Sequence, residues 1–538
     1  MTKYIVVTGG VISGVGKGVA SASIGKIMQE YGFNTTVVKL DAYLNVDPGT
    51  MRPTEHGEVF VTEDGAETDQ DLGTYERFLG STILKKNNIV QGAVFQDLLE
   101  KERRGDFLGR TVQLVPHVSD EIKKRVVEAS KDYDISVVEV GGTIGDDEHF
   151  PFLFAMNSLG LEVGRDNLVN ALVSYLPTPS HIKEMKTKPT QIAIKLLRHS
   201  GIQPDFVLCR GAEALDSVRK RKIKTYANIS EDGVISMPDV TTSERNGTIY
   251  QIPLQLEGEK FGEKLLHRLE LEKRKEPDWE RWGELVDKIV NPEKTIRVGM
   301  ICKYIASGGF TLEDAYVSVN EALKHAGANN SVGVDIQWID ANGLNGGNLE
   351  SKLDRLDGII VPGGFGGSGV EGKICAIKHA RENNIPYLGL CFGLQLAVVE
   401  YARNVCGLEN AHTSEINPET KHKVIDILPE QLHVDKKGAS MRLGAYRALL
   451  KGRVREIYRS GEAYERHRHR YEVNPYYHDI LQEKGLVFSG MSPDGNLVEF
   501  IEIPENKFFI ATQAHPEFKS SLMKPAPLFD AFVRACNV

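Results

Sequence analysis

The run Tyr4-Ile5-Val6-Val7-Thr8 leads at once into Gly9-Gly10-Val11-Ile12-Ser13-Gly14-Val15-Gly16-Lys17-Gly18, and this stretch decides the fold. A helix-forming segment from about Val19 to Tyr31 and a β-branched run from Thr35 to Leu40 follow it. Strand, glycine-rich turn, helix and strand make a βαβ opening. Glycines let backbone N–H groups approach phosphate oxygens, the helix N-terminus adds its positive dipole end, and Lys17 supplies a point charge. The spacing departs from GxxxxGK[ST]: Gly10 to Gly16 is one residue longer, and Gly18 stands where a hydroxyl would ligate magnesium. The ion then needs carboxylates from elsewhere: the segment Glu63 to Asp71 offers several and Glu139 lies near the end of the apolar run Ile135 to Val140, so Asp71 and Glu139 are the candidates although spacing alone does not select them. Lys186-Thr187-Lys188-Pro189-Thr190-Gln191, with Lys222 further on, offers lysines and hydroxyls before a helix for a second polyphosphate, though composition alone leaves a capping loop open.

Working outward, short Val/Ile runs at Asn170 to Tyr175 and Asp205 to Cys209 alternate with helical segments such as Ser119 to Ser130 and Thr190 to His199, as a parallel sheet requires. Between Leu271 and Lys294 the composition turns to Lys, Arg, Glu and Trp with Pro277 and Pro292, which reads as a linker. A second set of strands begins with Ile296 to Ile301, Val334 to Ile339, Gly358 to Val361 and Tyr387 to Leu390, with a helix expected over Leu312 to Ala326. The expectation is therefore α/β, two doubly wound parallel-sheet domains over 1–270 and 296–538 joined by a linker at 271–295. The 538-residue length suits more than one core. A net charge of −9 gives no basic surplus of the kind that marks a nucleic-acid binder. The apolar stretches fall well short of the roughly 20 residues that span a bilayer. Without a signal-peptide pattern at the start, the expectation is a cytoplasmic protein with no membrane or nucleic-acid partner. Arg466-His467-Arg468-His469-Arg470 reads, by composition, as a solvated charged loop.

A different chemistry is written in Tyr387-Leu388-Gly389-Leu390-Cys391-Phe392-Gly393-Leu394-Gln395, an apolar strand entering a helix through a sharp turn with glycines two before and two after the cysteine. This is the cysteine form of the nucleophile elbow, and the helix start behind Cys391 favours a thiolate. Gln513-Ala514-His515-Pro516-Glu517 ends another apolar run, and on a continuing strand His515 and Glu517 would share a face. The imidazole can then take the thiol proton while the carboxylate orients it. Val361-Pro362-Gly363-Gly364-Phe365-Gly366 could aim backbone N–H groups at a developing oxyanion, together with the Phe392 N–H.

Together these motifs resemble the triad glutamine amidotransferases over 296–538. In the first half the glycine loop, Lys39-Leu40-Asp41, Asn45 to Met51, His56 to Val61 and Lys186 to Gln191 resemble the CTP synthase family. The resemblance implies ATP-dependent amination of UTP to CTP with glutamine as nitrogen donor, and a magnesium cofactor on Asp71 and Glu139. It gives ATP to Gly14, Val15, Gly16, Lys17, Gly18, Val19, Asp71 and Val240, which follows Pro238. UTP or product CTP falls to Ser13, Asp146, Asp147, Glu148, Lys186, Thr187, Lys188, Pro189, Thr190, Gln191 and Lys222. Glutamine and its oxyanion fall to Gly363, Phe392, Gly393, Leu394, Gln395, Glu415 and Arg470, with Cys391, His515 and Glu517 catalytic. CTP as feedback inhibitor, GTP as allosteric activator, a homotetramer and filaments are implied as well. Asp147 and His149 depart from the family pattern, and short insertions lie within Thr241–Thr248 and Ala306–Glu313. The rivals are another ATP-dependent amidoligase with a fused glutaminase, such as those acting on corrin carboxylates, and a non-catalytic nucleotide-binding scaffold.

Overall fold

The computed structural model describes residues 1–52, 56–181, 184–241, 247–303, 306–307, 310–311, 313–427 and 441–537. Residues 242–246, 304–305, 308–309 and 312, which fall within or beside the expected insertions, lie outside the described residues. The chain packs as two compact units, Met1–Asp47 with Asp71–Val286, and Pro48–Gln70 with Asp287–Val538. Among the described residues no helix is long and apolar enough to cross a membrane.

In the first unit seven strands form one parallel sheet in the order Asn88–Val90, Thr35–Asp41, Ile135–Val140, Lys3–Gly9, Leu168–Tyr175, Phe206–Gly211 and Val234–Pro238. Near-continuous apolar runs suit strands buried on both faces, and Ile5, Val6, Val7, Val137 and Val138 are wholly buried. The strand order reverses at Lys3–Gly9, so the glycine loop leaves the sheet at a topological switch point, where α/β sheets bind ligands. The segment read as a linker contains the helix Glu280–Val290. Its Trp282 is buried, donates Nε1–H to Tyr250 O at 2.8 Å and packs edge-on against the Tyr250 ring. Amphipathic spacing of Trp282, Leu285 and Val286, obscured by the surrounding charges, fastens this helix to the first unit.

In the second unit five parallel strands run Gly333–Asp340, Thr295–Cys302, Gly358–Val361, Tyr387–Leu390 and Phe509–Thr512. The sheet then continues antiparallel through Val498–Glu502, Val487–Met491, Arg442–Leu450 and Glu462–His469. The helix expected from Leu312 begins later, at Val317, and runs to Asn329.

The basic run is not a solvated loop. Arg466, His467 and His469 lie in the last strand and are almost wholly buried. Their partners come from the excursion Pro48–Gln70, which folds with this unit although it interrupts the first in sequence. Arg466 Nε donates to Glu63 Oε2 at 2.9 Å and its Nη1 to Val61 O at 3.0 Å. Arg468 Nε donates to Glu67 Oε1 at 2.8 Å, and Lys519 Nζ reaches Glu63 Oε1 at 3.1 Å. Phe60 packs edge-on against Phe518, with ring centroids 5.0 Å apart. At the other end Glu58 receives the Ser318 N–H at 3.1 Å in the first turn of the helix Val317–Asn329, where a carboxylate is favoured by the helix dipole.

Removing one partner of a buried pair is strongly destabilising, whereas exposed pairs matter little. Arg466→Ala should therefore loosen the excursion while leaving the sheet folded. Limited digestion with a glutamate-specific protease should show cleavage at Glu63 or Glu67 accelerating about tenfold, the factor equivalent to about 1.4 kcal/mol of local protection, because Glu63 is partly exposed and keeps Lys519 as a partner. Unchanged cleavage would mean that Arg468, Lys519, Phe60 and Glu58 hold the segment without Arg466.

Candidate active site

The first unit gathers charge at the carboxyl edge of its sheet. Gly16 has φ 86° and starts the helix Lys17–Glu30, and Lys17 Nζ donates to Gly142 O at 2.6 Å. Residues Lys39 and Glu139 are direct register partners on neighbouring parallel strands. That pairing sets the Lys39 ammonium 3.1 Å from Glu139 Oε1, and on its other side it meets Asp71 Oδ2. Tyr75 O–H donates to Glu139 Oε2 at 2.5 Å. Burial pushes the Asp71 carboxyl up, but the Lys39 ammonium outweighs it and holds Asp71 below the usual range. Glu139, more deeply enclosed, is shifted up by burial despite Lys39. Burial lowers Lys17.

The departure at Gly18 has a structural reason. A Cβ there would run into the Asp71 carboxylate, so Asp71 fills the place that the missing hydroxyl side chain would take. Among the described residues no group of three or more His, Cys, Asp and Glu side chains is arranged to hold a metal by itself. Two carboxylates against a phosphate loop nonetheless fit magnesium, which takes one or two protein carboxylates and completes its shell with phosphate oxygens and water.

The remaining first-unit residues divide. Arg210, which the sequence reading passed over, bridges the loop to the segment at Val240: its Nη1 donates to Gly14 O at 3.2 Å and its Nε to Asp239 Oδ1 at 2.5 Å. Val15 is buried, Val19 lies in the first turn of the helix, and Ser13 is exposed in the loop. Thr190 is fully buried and accepts from Ser174 Oγ at 2.9 Å, while Ser174 Oγ would lie 3.2 Å from a Cβ on Gly10, so the glycine loop and the helix Lys188–His199 share a contact. Lys188 and Pro189 open that helix, and Thr187 precedes it. Lys186 is paired with Glu184 at 2.6 Å. Gln191 and Lys222 line one shallow groove with Arg221 and Tyr226. Asp147 and Glu148 form a short turn after Asp146, which accepts from Thr143 Oγ1 at 2.5 Å, and they do not line that groove.

In the second unit three adjacent parallel strands deliver three pieces of one site. Gly358–Val361 ends in the Pro362–Gly366 turn, Tyr387–Leu390 in Cys391, and Phe509–Thr512 in the segment bearing His515. Cys391 is held at φ 50°, ψ −99°, a strained conformation expected of a nucleophile elbow. A Cβ on Gly393 would strike Val361 O, and a Cβ on Gly363 would fall 2.9 Å from His515 Cε1 and 3.7 Å from Cys391 Cβ, so only glycine lets these backbones close around the sulfur.

His515 Nδ1 lies 2.7 Å from Glu517 Oε1. The strand argument for that pairing fails: the strand stops at Thr512, and the short helical turn Pro516–Lys519 brings the two side chains together. Burial would lower the imidazole, but the Glu517 carboxylate and the Cys391 sulfur outweigh it and raise His515 to about 10. His515 also stacks on Phe518 at 5.0 Å.

Gly363, Cys391, Arg470, His515 and Glu517 line one cavity, joined by Gly49, Met51 and Glu58 of the excursion. Phe392, Leu394 and Gln395 are buried behind the elbow. Gln395 Nε2 donates to Tyr471 O at 3.0 Å, and Gln513, unread in the sequence, donates to Cys391 Sγ at 3.6 Å. Glu415 accepts the Gly366 N–H at 2.7 Å and therefore braces the turn. Arg468 contributes its carbonyl, 3.8 Å from Cys391 Sγ, and its guanidinium lies 5.2 Å from the Phe365 ring centroid.

Residues 3–271 match the family described as CTP synthase N-terminus, and residues 311–535 match glutamine amidotransferase class-I. The chain is 50% identical to a CTP synthase of Methanocaldococcus jannaschii over 541 residues, covering 99% of this chain and 98% of the relative. It is 49% identical to a CTP synthase of Pyrococcus furiosus over 540 residues, covering 100% and 98%. The solved glutaminase domain of Trypanosoma brucei CTPS with bound acivicin is 39% identical, with a TM-score of 0.41, over 45% of this chain and 94% of that one.

The raised His515 supplies stability that is full below about pH 6.5, the value of free histidine, and is lost as pH rises through about 10. Glu517→Gln removes the carboxylate that holds the imidazolium. The fall in thermal midpoint between pH 7 and pH 10 should be shallower in this variant than in the parent; equal slopes would mean that Glu517 does not hold the proton on His515.

Proposed function

Because the chain belongs to the CTP synthase family, we propose that it aminates UTP to CTP, driven by ATP and using ammonia released from glutamine, through UTP phosphorylated on O4. It is an enzyme, a ligase bearing a glutamine amidotransferase domain. The observation that carries this reading is the end-to-end match to CTP synthases. The geometry of the two sites supports the roles that follow.

The glutaminase reaction belongs to 296–538. Cys391 adds as thiolate to the carboxamide carbon of glutamine, and the negative oxygen so formed faces the N–H groups of Gly363 and Phe392. His515, oriented by Glu517, hands its proton to the departing nitrogen; ammonia leaves and a thioester remains. The same imidazole takes a proton from water, whose oxygen attacks the thioester carbon; the C–S bond breaks, glutamate is released and the thiolate is regenerated. Arg470 offers the planar pair of donors that the substrate carboxylate needs, and Glu415 keeps the turn in place.

The synthetase reaction belongs to 1–270. The glycine loop and Lys17 hold the ATP phosphates, with Arg210 fixing the loop to the segment that bears Val240. Lys186 to Gln191, Lys222 and Ser13 receive UTP. O4 of UTP attacks the terminal phosphorus of ATP and ADP leaves; ammonia then adds at C4, phosphate departs with the C–O bond, and loss of a proton gives CTP. Asp71 and Glu139 are the carboxylates that would hold magnesium, which when bound neutralises charge on the phosphates. Lys39 bridges the two carboxylates next to the loop and favours the charged form of Asp71.

The same reading includes CTP as feedback inhibitor near Asp146 to Glu148, GTP as allosteric activator, a homotetramer that extends into filaments, and work in the cytoplasm without nucleic acid or membrane.

Purified protein given UTP, ATP, magnesium and glutamine should yield CTP by chromatography, and omission of UTP or ATP should abolish it. Glutamate without CTP would instead favour an amidoligase with another acceptor. Cys391→Ala should eliminate glutamine-dependent CTP formation and leave ammonia-dependent formation nearly unchanged; loss of both in folded protein would refute the division of labour. Asp71→Asn should slow turnover with either nitrogen source by about a hundredfold, the scale of losing one preorganised electrostatic contact. An unchanged ammonia-dependent rate would remove Asp71 from the site.

A further inference from the structure

Two ammonium groups stand behind the Pro362–Gly366 turn, and none of the roles above uses them. Lys373, on the helix Val370–Glu382, is wholly buried and donates to Pro362 O at 3.4 Å. Lys303, just past the strand Thr295–Cys302, donates to Phe365 O at 3.1 Å and also to Gly366 O. Both approach the ring of Phe392, the residue after the nucleophile, with Nζ atoms 4.2 Å (Lys303) and 5.6 Å (Lys373) from its centroid. Burying an ammonium works against its charge, and here burial lowers Lys303 to about 8 and Lys373 to about 7. A methionine of similar volume would avoid that cost, because buried charges are seldom needed for stability alone. What the lysines do have is a geometric effect.

In a trans peptide the carbonyl of one residue and the N–H of the next point to opposite sides. Among the described residues the cis bond is at Val115–Pro116, so the turn is trans throughout. Drawing the Pro362 carbonyl onto Lys373 therefore turns the Gly363 N–H the other way, and Gly363 is the residue whose Cα faces Cys391 and His515. At the far end Lys303 pulls back the Phe365 carbonyl, and the opposed Gly366 N–H is taken by Glu415 at 2.7 Å. Peptides at both ends of the turn are thus fixed with carbonyls toward lysine.

We propose that Lys373 and Lys303 are positioning residues of the glutaminase site: they hold the turn's carbonyls away from Cys391 and so aim the Gly363 N–H at the oxygen that becomes negative when the thiolate adds to glutamine. The inference rests on the glutaminase reading given above. Without the lysines the Pro362–Gly363 peptide is free to flip, which would present a carbonyl where a donor is needed.

The test uses the full-length enzyme with Lys373→Met and Lys303→Met, and three probes of Cys391. Glutamine hydrolysis needs the donor; an aldehyde analogue of glutamine, which forms a tetrahedral adduct on the sulfur, needs it too; alkylation by iodoacetamide, read at Cys391 by mass spectrometry, needs only the thiolate. In Lys373→Met kcat for glutamine should fall about 10²–10³-fold, the loss that follows removal of one oxyanion donor. Aldehyde affinity should fall in step, while KM for glutamine and the alkylation rate stay close to the parent. Unchanged hydrolysis and aldehyde affinity in folded variants would overturn the proposal. So would alkylation that falls in parallel with hydrolysis, since the lysines would then act on the thiolate. If Lys373→Met does not fold, Lys303→Met carries the same test, with recovery in Lys303→Arg expected and its absence counting against the proposal. A parent enzyme that neither hydrolyses glutamine nor binds the aldehyde would defeat the glutaminase reading itself, a result distinct from loss in the variants alone.

Discussion

In a parallel sheet every strand leaves by the same edge, and both candidate sites of this chain are consequences of that constraint. In the second unit, strands ending at Val361, Leu390 and Thr512 lie side by side, so a backbone turn, a thiol and an imidazole converge although they are far apart in sequence. In the first, the neighbouring strands carrying Lys39 and Glu139 put the two residues in direct register beside the glycine loop. The second site also draws on the excursion Pro48–Gln70, whose Gly49, Met51 and Glu58 wall its cavity. The loops contribute short, glycine-bearing turns whose shape is dictated by how closely backbones must approach.

Charge is handled differently at the two edges. At the glycine loop the Lys39 ammonium sits among the carboxylates of Asp71, Glu139 and Asp41, with the Lys17 ammonium close enough to favour their charge. At the elbow the compensation is less complete: His515 has Glu517, but Lys303 and Lys373 have carbonyl dipoles and a ring face as partners. Burial weakens the charge of both lysines, and Glu415 offsets part of that of Lys303, so what the pair contributes is directed N–H donation to the turn's carbonyls.

What could be read from the sequence was local. The elbow glycines, the phosphate loop and the apolar strand runs announce themselves because the physical requirement and the residues that meet it are a few positions apart. Gly18 announces a missing ligand without saying which of the carboxylates between Glu63 and Asp71 replaces it, and the reason Gly18 is glycine is visible only when the Asp71 carboxylate is seen in its place. Arg466 to His469 were misjudged because a charged run looks solvated until its partners are known, and Glu63 and Glu67 come from four hundred residues away. His515 and Glu517 were paired correctly for a wrong reason, a continuing strand in place of a helical turn. Lys39 carried a signal that went unused: a lysine inside an apolar β-branched run has to be paired.

The excursion Pro48–Gln70 has a bearing on how the chain can be cut. The border suggested by chain order yields a glutaminase piece beginning near 287, with the thiol, imidazole and turn all present. That piece would lack Gly49, Met51 and Glu58, which wall the cavity, and would leave Arg466 without Glu63. Its sheet is complete but the cavity at Cys391 is open on one side. Rate constants from such an excised piece would describe a breached vessel, and the smallest faithful unit is a discontinuous one that includes a length of polypeptide from the other half.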